Sequence, residues 1–401
     1  MEKIEGLTQL NLLIDEYIKG NQQYIEKGDY IIMPSFCDVH VHFREPGFSY
    51  KETIYSGSRA AARGGYTTVC TMPNLNPVPD SLENLKIQLD IIKKDAIIEV
   101  VPYGAITKGE QGRELADYDD IKDLVCGFSD DGRGVQQDSM MKDAMKKIKA
   151  LDRIVVAHCE DNSLLFGGYI HDGEYAKKNN HKGICSESEY KQIERDLILA
   201  KELGVKYHVC HISTKESVAL IREAKKQGVD VTCETAPHYL ILTDENLKED
   251  GRFKMNPPLR SREDREALIQ GVLDGTIDMI ATDHAPHSEE EKSNGLEKSA
   301  FGIVGIETAF PLLYTYLVQK GKMDIKTIIE KMSINPRKRF GFSQNRLDFT
   351  VFEKGEYKID TNQFISKGKS TPFANARVSV RCLLTVKDGK IVYQDKEKNN
   401  A

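Results

Sequence analysis

Eight short runs rich in β-branched and apolar residues recur along the chain, each followed by a longer connection of different periodicity. The runs cover residues 37–43, 67–72, 97–104, 124–129, 153–158, 206–211, 230–235 and 277–282. Between most of them apolar residues return every three or four positions, the mark of an amphipathic helix. Those helices are expected over 52–63, 81–94, 138–149, 187–203, 215–227 and 262–273, with a further one over 305–318 that carries Pro311. Two of them end at Leu203-Gly204-Val205 and Gln227-Gly228-Val229, where glycine can take the left-handed cap conformation. Strands separated by crossovers of this length pair in parallel. Eight such units imply an α/β protein closed into a (β/α)8 TIM barrel, and the count favours that barrel over an open doubly wound sheet. Only the connection after the third run is irregular.

The barrel is expected over residues 35–340, and the chain changes character on either side. FTVFEKG, SVRCLLTVKDGKIVY and the turn signal Asp388-Gly389 read as short strands and a hairpin. The N-terminal part holds a helix over 7–19 and a strand-like stretch over 23–33. Residues 1–34 and 341–401 are therefore expected to form one small composite β subdomain. The chain has 401 residues, 40% apolar and 29% charged, a globular composition with a net charge of −6. That balance argues against a nucleic-acid partner, which usually needs a basic stripe. No apolar run approaches the roughly 18 residues of a membrane span, and MEKIEGLTQL is too acidic for a secretory signal. Eight dispersed cysteines without a CxxC pair, several inside strand-like runs, read as reduced thiols of a cytoplasmic protein.

Side chains that carry chemistry in a β/α barrel gather at the C-terminal ends of its strands. Those ends are occupied here by metal-capable residues. The first run contains Asp38-Val39-His40-Val41-His42, and strand alternation places His40 and His42 on one face. The fourth runs into Asp130-Asp131-Gly132, the fifth ends at His158, the sixth at His211, and the eighth runs into Asp283-His284. Each has an ordinary alternative: a lone strand histidine is usually a hydrogen-bonded structural residue, and Asp-Asp-Gly is usually a turn. His208 has opposite parity to His211 and is assigned to the outer face. Four histidines and two aspartates at one rim are harder to dismiss, because a shared divalent cation offsets the cost of burying them. Nitrogen and oxygen donors without thiolate suit Zn²⁺, with Mn²⁺ and Fe²⁺ as alternatives. Six donors are too many for one tetrahedral ion and fit two ions sharing a bridging carboxylate.

HVHFREPG at 40–47, TMPN at 71–74, DDG at 130–132, AHCEDNS at 157–163 and YHVCHISTKES at 207–217 recur in a known pattern. With KMNPPLR at 254–260, DGTIDMIATDHAPH at 274–287 and FGIVGIETAFPLLYT at 301–315, the chain resembles the bacterial, class I dihydroorotases of the metal-dependent amidohydrolase superfamily. FISKGKSTPF extends the resemblance more loosely into the C-terminal segment. The resemblance implies that His40, His42 and Asp283 hold one metal and His158 and His211 a second. Asp131 would bridge them, where most relatives of the superfamily use a carbamylated lysine; it is chosen over Asp130 as the second carboxylate of the DDG. His42, Arg44, Asn74 and His287 would bind the substrate's carboxylate and ring edges, and Asn256 with the backbone around Phe301 and Gly302 would contact the ring.

Residue chemistry agrees with several of these roles. Arg44 lies two residues past His42, and its guanidinium fork matches a carboxylate, although a surface ion pair is the plainer account. Asn74 could equally be a turn residue, and His287 a solvated histidine. Asp38 is expected on the inward face below the ligands, supporting them without coordinating. The polar stretch 288–299 reads as a mobile loop over the mouth. The family usually has further strands before the barrel and a Pro-Gly ahead of the first aspartate. Here 39 residues precede His40 and the pair is Pro34-Ser35, so a reduced β subdomain is expected.

The activity implied is reversible hydrolysis of (S)-dihydroorotate to N-carbamoyl-L-aspartate in de novo pyrimidine biosynthesis. Metal-activated hydroxide would attack the ring carbonyl, with Asp283 as general base and then general acid. Competing readings are a hydantoinase-like or allantoinase-like cyclic amidase and an inactive relative that scaffolds a pathway enzyme. The expected partners are the small-molecule substrate, a second copy in a homodimer, and an aspartate transcarbamoylase.

Overall fold

The computed structural model describes residues 24–343, 345 and 347–395, and the helix expected over residues 7–19 lies outside them. A short antiparallel hairpin, β1 (Ile25–Lys27) and β2 (Tyr30–Pro34), leads through Ser35 into β3 (Phe36–Val41), the first stave of a barrel. Every position of β3 and of β4 (Tyr66–Thr71) is buried, the condition of a parallel strand covered by helices outside and by opposing strands within. The series continues with β5 (Glu99–Pro102), β6 (Gly104–Ala105), β7 (Phe128–Ser129) and β8 (Ile154–Ala157). A two-stranded parallel ribbon, β9 (Ile170–His171) and β10 (Gly183–Ile184), interrupts the next connection. Then come β11 (Lys206–Val209), β12 (Val231–Thr235) and β13 (Met279–Ile280).

Parallel ladders join β3 to β4 to β5, and β6 to β7, β8, β11, β12 and β13 in turn. β5 and β6 are two halves of one stave broken at Tyr103, whose hydroxyl donates to the carbonyl of Val39 at 2.9 Å. First and last staves meet through a parallel bridge between Val41 and His284, where the His42 N–H donates to the His284 carbonyl at 2.9 Å. The result is the (β/α)8 barrel that the eight alternating runs imply. The interior below its mouth is filled by Cys37, Val39, Cys70, Tyr103, Val156 and Met279 among others, with Phe340 and Phe342 packed against them.

Outer helices form where the sequence offers an apolar stripe and a cap. Lys215–Lys226 turns Val218, Ile221 and Ala224 inward, and the Thr214 side chain accepts the Ser217 N–H at its start. Arg262–Leu273 begins with a reciprocal box between Ser261 and Asp264. Gly204 ends Glu187–Leu203 in the left-handed conformation expected of it, at φ 63°. The stretch 288–299 contains regular structure and three buried residues among exposed ones. Two short helical turns, Glu289–Lys292 and Gly295–Lys298, bury Leu296 and the Lys292 side chain. The Lys292 ammonium donates to the carbonyls of Lys254 and Ala300 at 3.0 and 2.7 Å, anchoring the segment to the barrel rim.

Both flanks of the barrel contribute to one five-stranded antiparallel sheet in the order β1-β2-β14-β15-β16, with β14 (Phe349–Lys358), β15 (Arg377–Lys387) and β16 (Lys390–Gln394). Asp388 and Gly389, at φ 51° and 74°, form the tight turn between the last two strands. Phe352 of this sheet packs on Phe310 and Phe36, with ring centroids 4.5 and 6.1 Å apart. No helix among the described residues is long and apolar enough to cross a membrane.

Arg337 fixes the point where sheet becomes barrel. Its buried guanidinium donates to the carbonyls of Ser35 and Phe36, at 2.9 and 3.2 Å, and to the Thr67 hydroxyl at 3.0 Å. Arg337→Met removes these bonds from a buried junction, although Ser333 still donates to the Ser35 carbonyl and Ser35 still pairs with Thr67, and we expect urea denaturation to show a loss of about 2 kcal/mol.

Candidate metal centre

β3 delivers His40 and His42 to the mouth, with a register irregularity between Asp38 and Val41. Asp38 lies directly beneath, accepting the backbone N–H of His40 at 3.1 Å and the Thr282 hydroxyl at 2.6 Å. It therefore ties the first stave to the eighth, and burial pushes its carboxyl up to about 7. Past the strand ends the backbone turns sharply. His211 and Asp283 have φ of 31° and 47°, sparsely populated values that re-aim their side chains toward the axis.

The structure brings all six expected donors together. Asp131 sits among them: its Oδ1 is 3.4 Å from His40 Nε2, 3.5 Å from His211 Nε2 and 3.7 Å from His158 Nδ1. Its other oxygen is 3.5 Å from His42 Nε2. Asp283 Oδ1 lies 3.2 Å from His42 Nε2 and 3.5 Å from His40 Nε2. His158 Nδ1 and His211 Nε2 face each other at 2.9 Å. Two overlapping groups, His40–Asp131–His211 and His40–His42–Asp283, have ligand atoms close enough to share an ion. His40 Nε2, Asp131 Oδ1 and His158 Nε2 are buried without a hydrogen-bond partner. Leaving such atoms unpaired is unfavourable by a few kcal/mol each, and a divalent cation satisfies a set of imidazole nitrogens and carboxylate oxygens. The residues fit a metal.

Charges within the cluster are mutually dependent. Burial alone raises the Asp131 carboxyl, but His40, His211 and His42 reverse this and hold it well below its ordinary value. Asp283 is likewise raised by burial and brought far down by its hydrogen bond to His42 and by the neighbouring imidazoles, so it stays ionised.

Around the cluster lie the expected substrate contacts. Asn74 Oδ1 is 2.9 Å from His42 Nδ1, a contact that orients the His42 ring. The Arg44 guanidinium reaches the Pro286 carbonyl at 3.2 Å and His287 Nε2 at 3.2 Å. His287 Nε2 also lies 2.8 Å from the Phe301 carbonyl, and its Nδ1 faces the Lys51 ammonium at 3.2 Å. Asn256 donates to Glu160 at 3.0 Å while its own Oδ1 is buried and unpartnered. Gly302 donates its N–H to the Lys254 carbonyl. What it offers the site is space: at φ 126°, a Cβ there would lie 2.7 Å from Ala285 Cβ and 3.2 Å from His287 Nε2.

One expectation fails. His208 is fully buried, with its ring against Phe340 and its nitrogens 2.9 Å from Thr232 Oγ1 and 3.2 Å from Glu234 Oε2. Parity counted back from His211 misplaces it because β11 ends at Val209, and the turn beyond breaks the alternation. Glu234, on β12, was not singled out from the sequence, yet its Oε1 is 2.7 Å from His40 Nδ1. A carboxylate at the inward parity of a strand run was the available signal. Glu160, 3.7 Å from His158 Nε2, was also passed over inside AHCEDNS.

Fold and cluster together define a metal-dependent hydrolase of the amidohydrolase class. Within that class the chain belongs to the dihydroorotase family: residues 29–217 match the model for dihydro-orotase-like domains. It is similar to a dihydroorotase of Fusobacterium nucleatum, at 52% identity over 99% of this chain and 94% of that one. It is also similar to a dihydroorotase of Bacillus caldolyticus, at 48% identity over 98% and 94% of the two chains. Among solved structures, the L-hydantoinase (dihydropyrimidinase) of Arthrobacter aurescens superposes with a TM-score of 0.80 at 25% identity, covering 90% of this chain and 85% of that one. The chain is a cyclic-amide hydrolase.

Burial and the charges of Arg44 and Lys51 hold the His287 imidazole down at about 3. An unfolded histidine titrates near about 6.5, so below that pH the unfolded chain takes up a proton that the folded protein refuses. Stability is then lost as pH falls from about 6.5 toward about 3. The acid limb of the urea midpoint against pH should be shallower in His287→Asn than in the wild type.

Proposed function

We propose that this centre carries out the reversible hydrolysis of (S)-dihydroorotate to N-carbamoyl-L-aspartate, the ring-closing step of pyrimidine biosynthesis run in either direction. The observation that carries this reading is Asp131, a buried carboxylate with one oxygen facing three imidazoles and the other a fourth. That arrangement suits a carboxylate bridge between two Zn²⁺ ions, His40, His42 and Asp283 holding one and His158 and His211 the other. A bound divalent pair supplies polarisation of a carbonyl oxygen and a lowered pKa for water.

The chain's own residues do the rest. Asp283, kept ionised beside His42, accepts the proton released by attacking water and delivers it to the ring nitrogen as the C–N bond breaks. In the synthetic direction it takes that proton back from the ureido nitrogen. Arg44 offers the substrate carboxylate a buried guanidinium, and His287, neutral at its depressed pKa, would line the site beside it without further charge. Asn256, whose Oδ1 is buried without a partner, would accept a ring N–H. Holding the ring at these points before the chemistry begins lowers the entropic part of the barrier. Eight free cysteines fit a reducing, cytoplasmic setting.

Loss of ultraviolet absorbance on ring opening tests the reading. Dihydroorotate should be consumed in preference to hydantoin and allantoin, and chelator should abolish turnover; preferential opening of hydantoin would overturn the assignment. Asp283→Asn should lower kcat at least about 100-fold. Asp131→Ala should lose bound metal as well as activity; full metal content would refute the bridge.

A further inference from the structure

A line of hydrogen-bonding groups runs from the metal centre down into the barrel. His40 Nδ1 lies 2.7 Å from Glu234 Oε1, Glu234 Oε2 lies 3.2 Å from His208 Nε2, and His208 Nδ1 lies 2.9 Å from Thr232 Oγ1. His40, Glu234 and His208 are at most 1% exposed, so no water competes for these contacts. Donors and acceptors alternate in only one consistent way when the carboxylate is ionised. An ionised carboxylate donates nothing, so both imidazoles must present N–H to it. A neutral His40 therefore carries its proton on Nδ1 and presents Nε2 as the lone pair that a metal would take. That atom is the one found buried and unpartnered, 3.4 Å from Asp131 and 3.5 Å from Asp283. His208, protonated on Nε2, accepts the Thr232 hydroxyl proton at Nδ1, which fixes the far end.

We propose that Glu234, backed by His208, is a positioning residue whose charge, held against the Nδ1–H of His40, raises the basicity of Nε2 and thereby sets how tightly the centre holds its metal. It rests on the metal-centre reading above. Glu234 lies on the side of His40 away from Asp131, with His40 and His208 as its hydrogen-bond partners. A carboxylate behind a ligating imidazole orients the ring and raises its basicity, and losing such a partner typically weakens metal binding 10–100-fold.

The decisive variant is Glu234→Gln. Glutamine keeps the shape and one acceptor for His40, and His208 can change tautomer to accept its amide N–H and donate to Thr232. The charge is lost while the packing is retained. Zn²⁺ affinity of the apoprotein would be measured by competition with a chromogenic chelator, alongside the urea midpoint, the visible spectrum of the Co²⁺-loaded protein, and kcat and KM at saturating Zn²⁺. We expect Zn²⁺ affinity to fall 10–100-fold, the Co²⁺ spectrum to shift, and KM for dihydroorotate to stay within about twofold. Wild-type Zn²⁺ affinity in Glu234→Gln would overturn the proposal. Should that variant fail to fold, His208→Asn, which leaves Glu234 in place, carries the test: a several-fold loss supports it and unchanged affinity refutes it. Failure of the wild type itself to bind Zn²⁺ would instead refute the metal-centre reading.

Discussion

The charge on Asp131 sits where almost no water reaches it, and the rest of the molecule is arranged to make that tolerable. A lone carboxylate in such a place would take up a proton. Four imidazoles drawn from β3, β8 and β11 reverse the preference, and they can do so only because a closed ring of parallel strands points its ends at one small volume. The outer helices and the interior packing around Tyr103 and Val156 hold those ends still. Chemistry and fold thus share one requirement: staves far apart in sequence must keep fixed heights relative to one another.

Much of this was legible in the sequence, for a physical reason. Parallel staves are buried on both faces and read as unbroken apolar runs, while catalytic residues must lie just past their ends, so run and ligand appear side by side. His42, His158, His211, Asp131 and Asp283 follow that rule, while His40 is the last but one residue of β3. His208 does not, because a count of alternate residues is valid only while the strand lasts, and β11 stops two residues before His211. Glu234 escaped notice because β12 supplies no ligand of its own and its carboxylate faces the back of His40. In the stretch 288–299 polar composition concealed a buried lysine whose partners, the carbonyls of Lys254 and Ala300, are backbone atoms invisible to any reading of side-chain types.

The sheet at the side of the barrel shows the same limit from another direction. Its strands, and its making from both flanks of the barrel, are legible in the sequence, but the register of β2 on β14 is not. Such a contact depends on where the barrel leaves its termini. Arg337, bonded to Ser35, Phe36 and Thr67, connects that sheet to the first two staves through a group whose sequence neighbours give no hint of burial.

Asp38 reaches both His40 and Thr282, and so spans the one seam at which the barrel's circular order begins and ends. His40 and His42 stand on one side of that join and Asp283 on the other. The bonds of Asp38 therefore hold donors from the first and the last stave at a fixed separation, although His42 and Asp283 lie 241 positions apart in the chain.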